Sequence, residues 1–152
     1  MTACKSIKLR GCWNVGHVGY NNAKYNLVYA TKKIKYAGAY NPLYLIRNNE
    51  VIEYKATKHP VGKPFDERIK EYTGIEIDVE IGDTIYIFSD GYIDQFNEIN
   101  REKFKTQRFK DLLISIQSQT MDEQYQTLRK KFIEWKGNQE QIDDVTVLGI
   151  RF

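Results

Sequence analysis

The sequence of 152 residues has few cysteines, no long apolar run and no strong excess of charge. Its two cysteines, Cys4 and Cys12, lack the spacing of a zinc site, and we expect free thiols in a reducing, cytoplasmic compartment. No segment approaches the ~18 apolar residues of a membrane helix, and residues 1–10 lack the apolar core of a signal peptide. The formal net charge of +3, with scattered lysines, does not indicate nucleic acid. We therefore expect neither a membrane nor a nucleic-acid partner.

The composition is that of an ordinary globular domain. Hydrophobic residues make up 41% of the chain and charged residues 28%, and the length suits one domain with a sizeable core. Glycines and asparagines interrupt any periodicity in residues 1–24, so we expect an irregular N-terminal segment there. The remainder, residues 25–152, is expected to fold as one unit.

Hydrophobic patterns predict several strands before the helical region. Strands are expected over residues 25–29, 34–39, 43–47, 51–54, 75–79, 84–88 and 145–150. Asn48 and Asn49 tolerate a left-handed backbone and indicate a hairpin turn. Residues 75–79 alternate apolar and acidic side chains, which is typical of a half-exposed strand. We expect this strand to pair antiparallel with the one that follows it, after the Gly82-Asp83 turn.

Two amphipathic helices are predicted between the last two strands. Residues 95–105 are polar and should form a loop or a short helical turn, after which apolar residues recur at helical spacing. Thr120 and Glu123 form a capping box that opens the second helix, and Gly137 ends it. The order of strands, two helices and a strand predicts an α+β fold with helices packed on a largely antiparallel sheet.

Carboxylates follow the most apolar strand and precede the last one. Asp90 comes directly after residues 84–88, a run typical of a strand buried on both faces. Because an unpaired buried charge is costly, Asp90 should have a partner, bind a metal or lie at a solvent-filled mouth. Asp94 follows at i+4, and Asp143-Asp144 precede the final strand. Two strands that present carboxylates at one end form a candidate site for a hard cation.

Each of these acids also has a purely structural interpretation. Asp90 could cap the N-terminus of a helical turn that begins at Gly91. Asp143 could be a turn residue before a strand, and Asp94 a first-turn acid that interacts favourably with a helix dipole. The residue pattern alone leaves both interpretations open.

Three blocks of the sequence resemble the SpoIIE-like branch (stage II sporulation protein E) of the PPM-type metal-dependent protein phosphatases. The blocks are residues 36–45 together with 59–62, residues 82–94 (GDTIYIFSDGYID) and residues 143–146 (DDVT). Their order and spacing resemble the C-terminal half of that domain, over about residues 25–152. The resemblance implies part of a sandwich of two sheets, with helices outside and a metal site between the sheets.

The resemblance also implies a site and a reaction. Asp90 and Asp143 align with direct ligands of Mn²⁺ or Mg²⁺, Asp94 with an acid near an additional metal, and Gly91 and Asp144 with their neighbours. The implied reaction is hydrolysis of phosphoserine or phosphothreonine in a phosphoprotein, in bacterial signalling. In this chemistry two ions about 4 Å apart activate a water for in-line attack on phosphorus.

One part of the family pattern is missing. The family also uses acids from an early Gly-Gly-Asp-type motif and from an Asp-x-x-Gly-His-Gly-type turn, whereas residues 1–24 contain no Asp and no Glu. The sequence therefore leaves two hypotheses: a phosphatase domain, or a truncated or catalytically silent module of that fold that binds a partner protein. Sheet edges left exposed would favour a homodimer.

Overall fold

The computed structural model describes residues 33–58 and 72–152, and the backbone of residues 5–8. The elements are β1 (Lys5–Lys8), β2 (Lys33–Tyr36), β3 (Leu43–Arg47), β4 (Glu50–Tyr54), β5 (Ile75–Asp78), β6 (Thr84–Phe88), α1 (Gly91–Asp94), α2 (Thr106–Ser115), α3 (Met121–Lys136) and β7 (Thr146–Arg151). The predicted strand 25–29 and the block 59–62 lie outside the described residues. The other predicted strands and both helices are present, so the α+β prediction is confirmed.

The strands of the described residues form two antiparallel sheets. One has five strands in the order β1-β7-β6-β3-β4, and the other consists of β2 and β5. The expected pairing of residues 75–79 with residues 84–88 is wrong, because β6 already has β3 and β7 as its two neighbours. β5 pairs with β2 instead, and the intervening turn carries the chain from one sheet to the other.

The five-stranded sheet is buried on both faces around β6. Tyr86 and Phe88 face the core that the sheet shares with α2 and α3. Ile85 and its partly buried neighbour Ile87 face the opposite way, toward Ile77 of the two-stranded sheet. The predicted two-sided burial of this strand is confirmed, and the fold has three layers: helices, a five-stranded sheet and a two-stranded sheet.

Two turns follow the local sequence closely. Asn48 and Asn49 have φ angles of 51° and 61°, as a two-residue hairpin turn between β3 and β4 requires. Gly82 has φ 98°, and the carboxylate of Asp83 accepts a hydrogen bond of 2.7 Å from the backbone N–H of Glu80. Arg47 donates to the same carboxylate from Nε at 2.9 Å.

The electrostatics of Asp83 are those of a structural ion pair. Burial disfavours its charged form, but the hydrogen bonds from Arg47 and from the backbone of Glu80, with the positive charge of Arg47, keep the pKa of Asp83 below its usual value. The same carboxylate raises the pKa of the Arg47 guanidinium. The ion pair of Asp83 with Arg47 therefore stabilises the turn that connects β5 in one sheet to β6 in the other.

The two long helices pack on one face of the five-stranded sheet. The capping box is present in α3, since the Thr120 side chain accepts from the Glu123 backbone and the Glu123 side chain accepts from the Thr120 backbone. Leu128 and Phe132 are buried against the sheet, as the apolar stripe indicates. Gln124 is also buried, a position that the stripe did not predict, because its side chain bonds to Tyr86 and to the Ile116 carbonyl. No helix in the described part of the chain is long and apolar enough to cross a membrane.

One part of the N-terminal segment is regular. An irregular segment was predicted over residues 1–24, but Lys5–Lys8 forms β1, which pairs antiparallel with β7. The sequence KSIK contains too few apolar residues to show the alternation typical of a strand. Its strand conformation follows from pairing with β7. The other residues of this segment lie outside the described ranges.

Candidate metal centre

The end of β6 and the start of β7 meet at one edge of the sheet. The two strands are antiparallel neighbours, with Phe88 opposite Val147. The chain leaving β6 therefore lies beside the chain entering β7, although both helices separate them in sequence. This topology brings Asp90 and Asp143-Asp144 to the same edge, as the two-strand argument predicted.

Ser89 joins the two segments through its side chain and its backbone. Its Oγ donates to the Asp144 carbonyl at 2.7 Å and accepts from the Thr146 N–H at 2.9 Å. Its own N–H donates to the Thr146 carbonyl at 3.0 Å. Ser89 is buried, and the two bonds of its hydroxyl are partly buried. This role of Ser89 was not predicted, although a Ser at the end of an apolar strand indicates a side chain that can bond to a neighbouring backbone.

Gly91 allows the two segments to approach closely. A Cβ at this position would lie 2.5 Å from the Asp144 carbonyl oxygen and 3.2 Å from that of Asp143. The first distance is shorter than any normal carbon–oxygen contact, so only glycine fits without a shift of backbone. Gly91 had been predicted as a neighbour of the site, and its part is to let Asp90 lie beside Asp143-Asp144.

The Asp90 carboxylate has no structural task among the described residues. Asp90 occupies the N-cap position of α1 but its side chain makes no capping hydrogen bond. No described residue forms an ion pair with it, and it is exposed. The capping interpretation therefore does not account for this exposed side chain.

Asp143 combines a turn function with a free oxygen. Its Oδ1 accepts from the Asp144 N–H at 2.7 Å, and its carbonyl accepts from Gln141 Nε2 at 2.8 Å. The turn interpretation is thus correct for one carboxylate oxygen, and the other oxygen is left for a ligand. Asp144 contributes its backbone to the contacts with Ser89 and Gly91.

Asp94 is engaged with a cation of the chain. Its backbone N–H donates to the Asp90 carbonyl at 2.9 Å, which confirms the predicted helical turn between the two acids. Its carboxylate lies 3.2 Å from Lys103 Nζ, and the two side chains are a little under half exposed. The charge of Asp94 is therefore already offset.

Tyr92 anchors the turn between the acids to the helices. It is buried, its hydroxyl donates to the Leu128 carbonyl at 2.9 Å, and burial raises the pKa of this phenol. The rings of Phe104, Phe109 and Phe132 lie around it with centroid distances of 4.9 to 5.1 Å. The position of Asp90 thus depends on α3 as well as on β6.

The oxygen donors at this edge fit part of a shell for Mn²⁺ or Mg²⁺. Exposed carboxylates are the ligands that these ions prefer. Within the described ranges, however, no three His, Cys, Asp or Glu side chains converge as a metal-binding group. Asp90 and Asp143 can supply two carboxylates, and further ligands must come from water or from outside the described residues.

Comparison with known families identifies the chain. The family model for stage II sporulation protein E (SpoIIE) matches residues 23–152. The chain belongs to the SpoIIE family. The match includes every described element except β1, and both carboxylate segments, so the resemblance of the three sequence blocks is confirmed. Comparison with curated protein sequences gave no significant match.

Solved structures similar to this SpoIIE-family chain include PP2C domains. The SiaA-PP2C domain of Pseudomonas aeruginosa is 30% identical with a TM-score of 0.72, and the match covers 80% of this chain and 47% of that one. The RsbU and RsbW domains of Rv1364c from Mycobacterium tuberculosis give 22% identity and a TM-score of 0.62, covering 81% and 33%. The PP2C phosphatase domain of SpoIIE from Bacillus subtilis, with a fragment of its regulatory domain, gives 21% and 0.59, covering 79% and 34%.

These comparisons establish family and fold. The two more distant structures show the fold alone, which is that of PP2C phosphatase domains. The SpoIIE-family chain spans less than half the length of each of the three structures. It corresponds to the C-terminal part of the phosphatase domain, as the order of the sequence blocks predicted.

Proposed function

We propose that this chain carries the Asp90 and Asp143 part of a metal-dependent protein serine/threonine phosphatase site that acts in bacterial signalling. The observation that supports this most directly is the geometry of the sheet edge. Ser89 and Gly91 hold the Asp143-Asp144 backbone against the residues that flank Asp90, while the Asp90 carboxylate itself does nothing structural. A buried serine and an obligatory glycine that position an unused acid favour a ligand site over a turn.

Each residue then has a defined task in the hydrolysis of phosphoserine or phosphothreonine. Asp90 and the free oxygen of Asp143 would hold Mn²⁺ or Mg²⁺, which when bound acidifies water and offsets the charge of the phosphoryl group. Asp94 would act outside this pair, because Lys103 already neutralises it. Ser89 and Gly91 position the two acids without touching the substrate.

The direct test combines metal binding with hydrolysis. Calorimetry with Mn²⁺ and Mn²⁺-dependent hydrolysis of p-nitrophenyl phosphate are measured for the chain and for its Asp90→Asn and Asp143→Asn variants. Asp111→Asn, an exposed acid on α2, is the matched control. We expect both site variants to lose metal affinity and activity, and the control to keep them. Activity that survives in both site variants would contradict the assignment.

A second candidate function is a partner-binding module with the phosphatase fold. It is favoured by the absence of a third converging acid within the described ranges, because two carboxylates bind a hard cation weakly. Absence of Mn²⁺ binding and of hydrolysis, with the folded state intact by circular dichroism, would support this candidate.

Self-association and location are further parts of the proposal. β4 forms one outer edge of the five-stranded sheet, and an exposed edge can pair with a second copy of the chain. In analytical ultracentrifugation we expect a dimer that Ile52→Lys on β4 weakens, because a charged side chain disfavours edge pairing. A monomer at all concentrations would contradict the dimer. The cytoplasmic location remains a prediction.

A further inference from the structure

A groove lies between the loop that follows α1 and the segment that leads into β7. Phe96 and Arg101 line one side, and Gln139, Glu140 and Ile142 line the other. Its volume is about 430 Å³. Pockets of this size accept a small ligand or a few side chains of a peptide.

The groove is adjacent to the candidate metal centre along both of its walls. Ile142 directly precedes Asp143, and Phe96 follows Asp94 by two positions. Since consecutive Cα atoms are ~3.8 Å apart, a molecule in the groove lies within a few residue lengths of the carboxylates. Both walls of the groove therefore belong to the segments that carry Asp94 and Asp143.

A fully buried polar side chain connects the two chain segments that line the groove. Gln95 Nε2 donates to the Glu140 carbonyl at 2.9 Å and to the Phe96 carbonyl at 3.2 Å, which joins the two walls. The Gln95 carbonyl accepts from Trp135 Nε1 at 2.9 Å. Asn97 Oδ1 accepts two backbone N–H groups of the same loop at 3.1 Å. The groove is thus formed before any ligand arrives, which lowers the entropic cost of binding.

The lining combines apolar surface with one cation, Arg101, on one wall and one anion, Glu140, on the other. Ile142 is 51% exposed, and Ile99, in the loop that forms one wall, is 94% exposed. Exposed apolar side chains that cluster beside polar ones are typical of protein interaction sites. Arg101 is exposed, and no described carboxylate pairs with it. Its φ of 53° is a left-handed conformation that costs free energy in a non-glycine residue and is found more often at functional sites.

We propose that this groove docks an extended segment of the phosphoprotein substrate, with an apolar side chain against Phe96 and Ile142 and an acidic side chain on Arg101. The proposal rests on the proposed function, since it assumes that the phosphoresidue lies at Asp90 and Asp143. Arg101 and Glu140 belong to different walls of the groove, so the acidic side chain is placed against Arg101, on the wall away from Glu140. At ~3.3 Å per extended residue, the docked pair lies roughly two to four positions from the phosphoresidue.

The test measures docking without turnover. Fluorescein-labelled phosphoserine peptides carry Leu-Glu three positions before or after the phosphoserine, and matched peptides carry Gly-Ser instead. Anisotropy titrations use the full chain in EDTA. We expect a Leu-Glu peptide to bind more tightly than its Gly-Ser counterpart. Arg101→Gln should weaken the Leu-Glu peptide roughly three- to fivefold, as for an exposed ion pair, and leave the Gly-Ser peptide unchanged.

Two controls make the outcome decisive. Arg129→Gln removes an exposed arginine from α3 and should change neither affinity. Amide chemical shifts on titration with the Leu-Glu peptide should change in residues 96–101 and 139–142. Equal affinities for Leu-Glu and Gly-Ser peptides, or equal effects of the two arginine variants, would overturn the proposal.

Failure of docking is distinguishable from failure of the phosphatase assignment. p-Nitrophenyl phosphate has no flanking residues, so its Mn²⁺-dependent hydrolysis by the unmodified chain tests the metal centre without the groove. Docking in EDTA, in turn, requires no metal. Hydrolysis of the small substrate without a Leu-Glu preference would refute the groove alone.

Discussion

Substitution of Gly91 by Ala should separate the two carboxylate segments. The new Cβ would lie 2.5 Å from the Asp144 carbonyl oxygen, and an ordinary contact needs at least 3.4 Å, so the backbones must move apart by about 0.9 Å. Overpacking of this kind costs about 1–3 kcal/mol in the free energy of unfolding. A misplacement of about 1 Å at a reacting centre can reduce a rate about a hundredfold.

The matched control is the same substitution at Gly74. A Cβ there meets nothing within 4 Å, and its φ is not in the left-handed region. Gly74→Ala should therefore leave stability unchanged or raise it by about 0.4–1 kcal/mol, because alanine restricts the unfolded chain. Urea unfolding followed by circular dichroism gives the two free energies, and Mn²⁺ calorimetry gives the two affinities. Equal stability and equal metal affinity in the two variants would refute the close-approach argument.

Three further substitutions test other contacts. Ser89→Ala removes the side-chain partner of the Asp144 carbonyl and of the Thr146 N–H and should destabilise the chain by about 1–2 kcal/mol in urea unfolding, whereas Ser89→Thr keeps the hydroxyl. The pKa of Asp83 is lowered in the folded state, so the ionised side chain stabilises the fold above its unfolded pKa of ~3.9. This stabilisation is lost as the pH falls through the folded pKa. Asp83→Asn should therefore reduce the loss of unfolding free energy at acidic pH, measured by unfolding at a series of pH values. Phe132→Ala should cost about 3–5 kcal/mol as a buried aromatic deletion, and a cost below 1 kcal/mol would contradict its place in the core.

Local features of the structure were predictable from local sequence. The Asn48-Asn49 hairpin turn and the capping box of α3 depend on backbone preferences and hydrogen bonds within a few residues. The burial of β6 follows from its continuous apolar run. Each of these signals is complete within the segment that carries it, so no knowledge of the rest of the fold was needed.

Partner choice between strands could not be predicted in this way. β5 follows the pattern of a half-exposed strand, but nothing in that pattern says whether its neighbour is β6 or β2. β3 and β7 occupy the two sides of β6, so β5 cannot pair with β6 and pairs with β2 instead. The strand β1 was missed for a related reason, because its regularity comes from the edge of β7.

The sequence predicted that Asp90 and Asp143-Asp144 lie near each other, but not the contacts that hold the two segments together. Asp90 and Asp143 stand out because charges at the ends of apolar strands are unusual. The tasks of Ser89 and Gln95 depend on carbonyl groups that lie far away in sequence, at Asp144 and Glu140. A buried hydrogen bond to such a carbonyl leaves no periodic signal in the chain.

The placement of both helices between β6 and β7 has a consequence for folding kinetics. The two carboxylate segments meet only after the chain has closed a long loop that contains α2 and α3, and such contacts form late. A cation that binds at this edge therefore does not stabilise the early, partly folded states, in which the two segments are still apart. It should therefore slow the unfolding of the chain while leaving its folding rate almost unchanged.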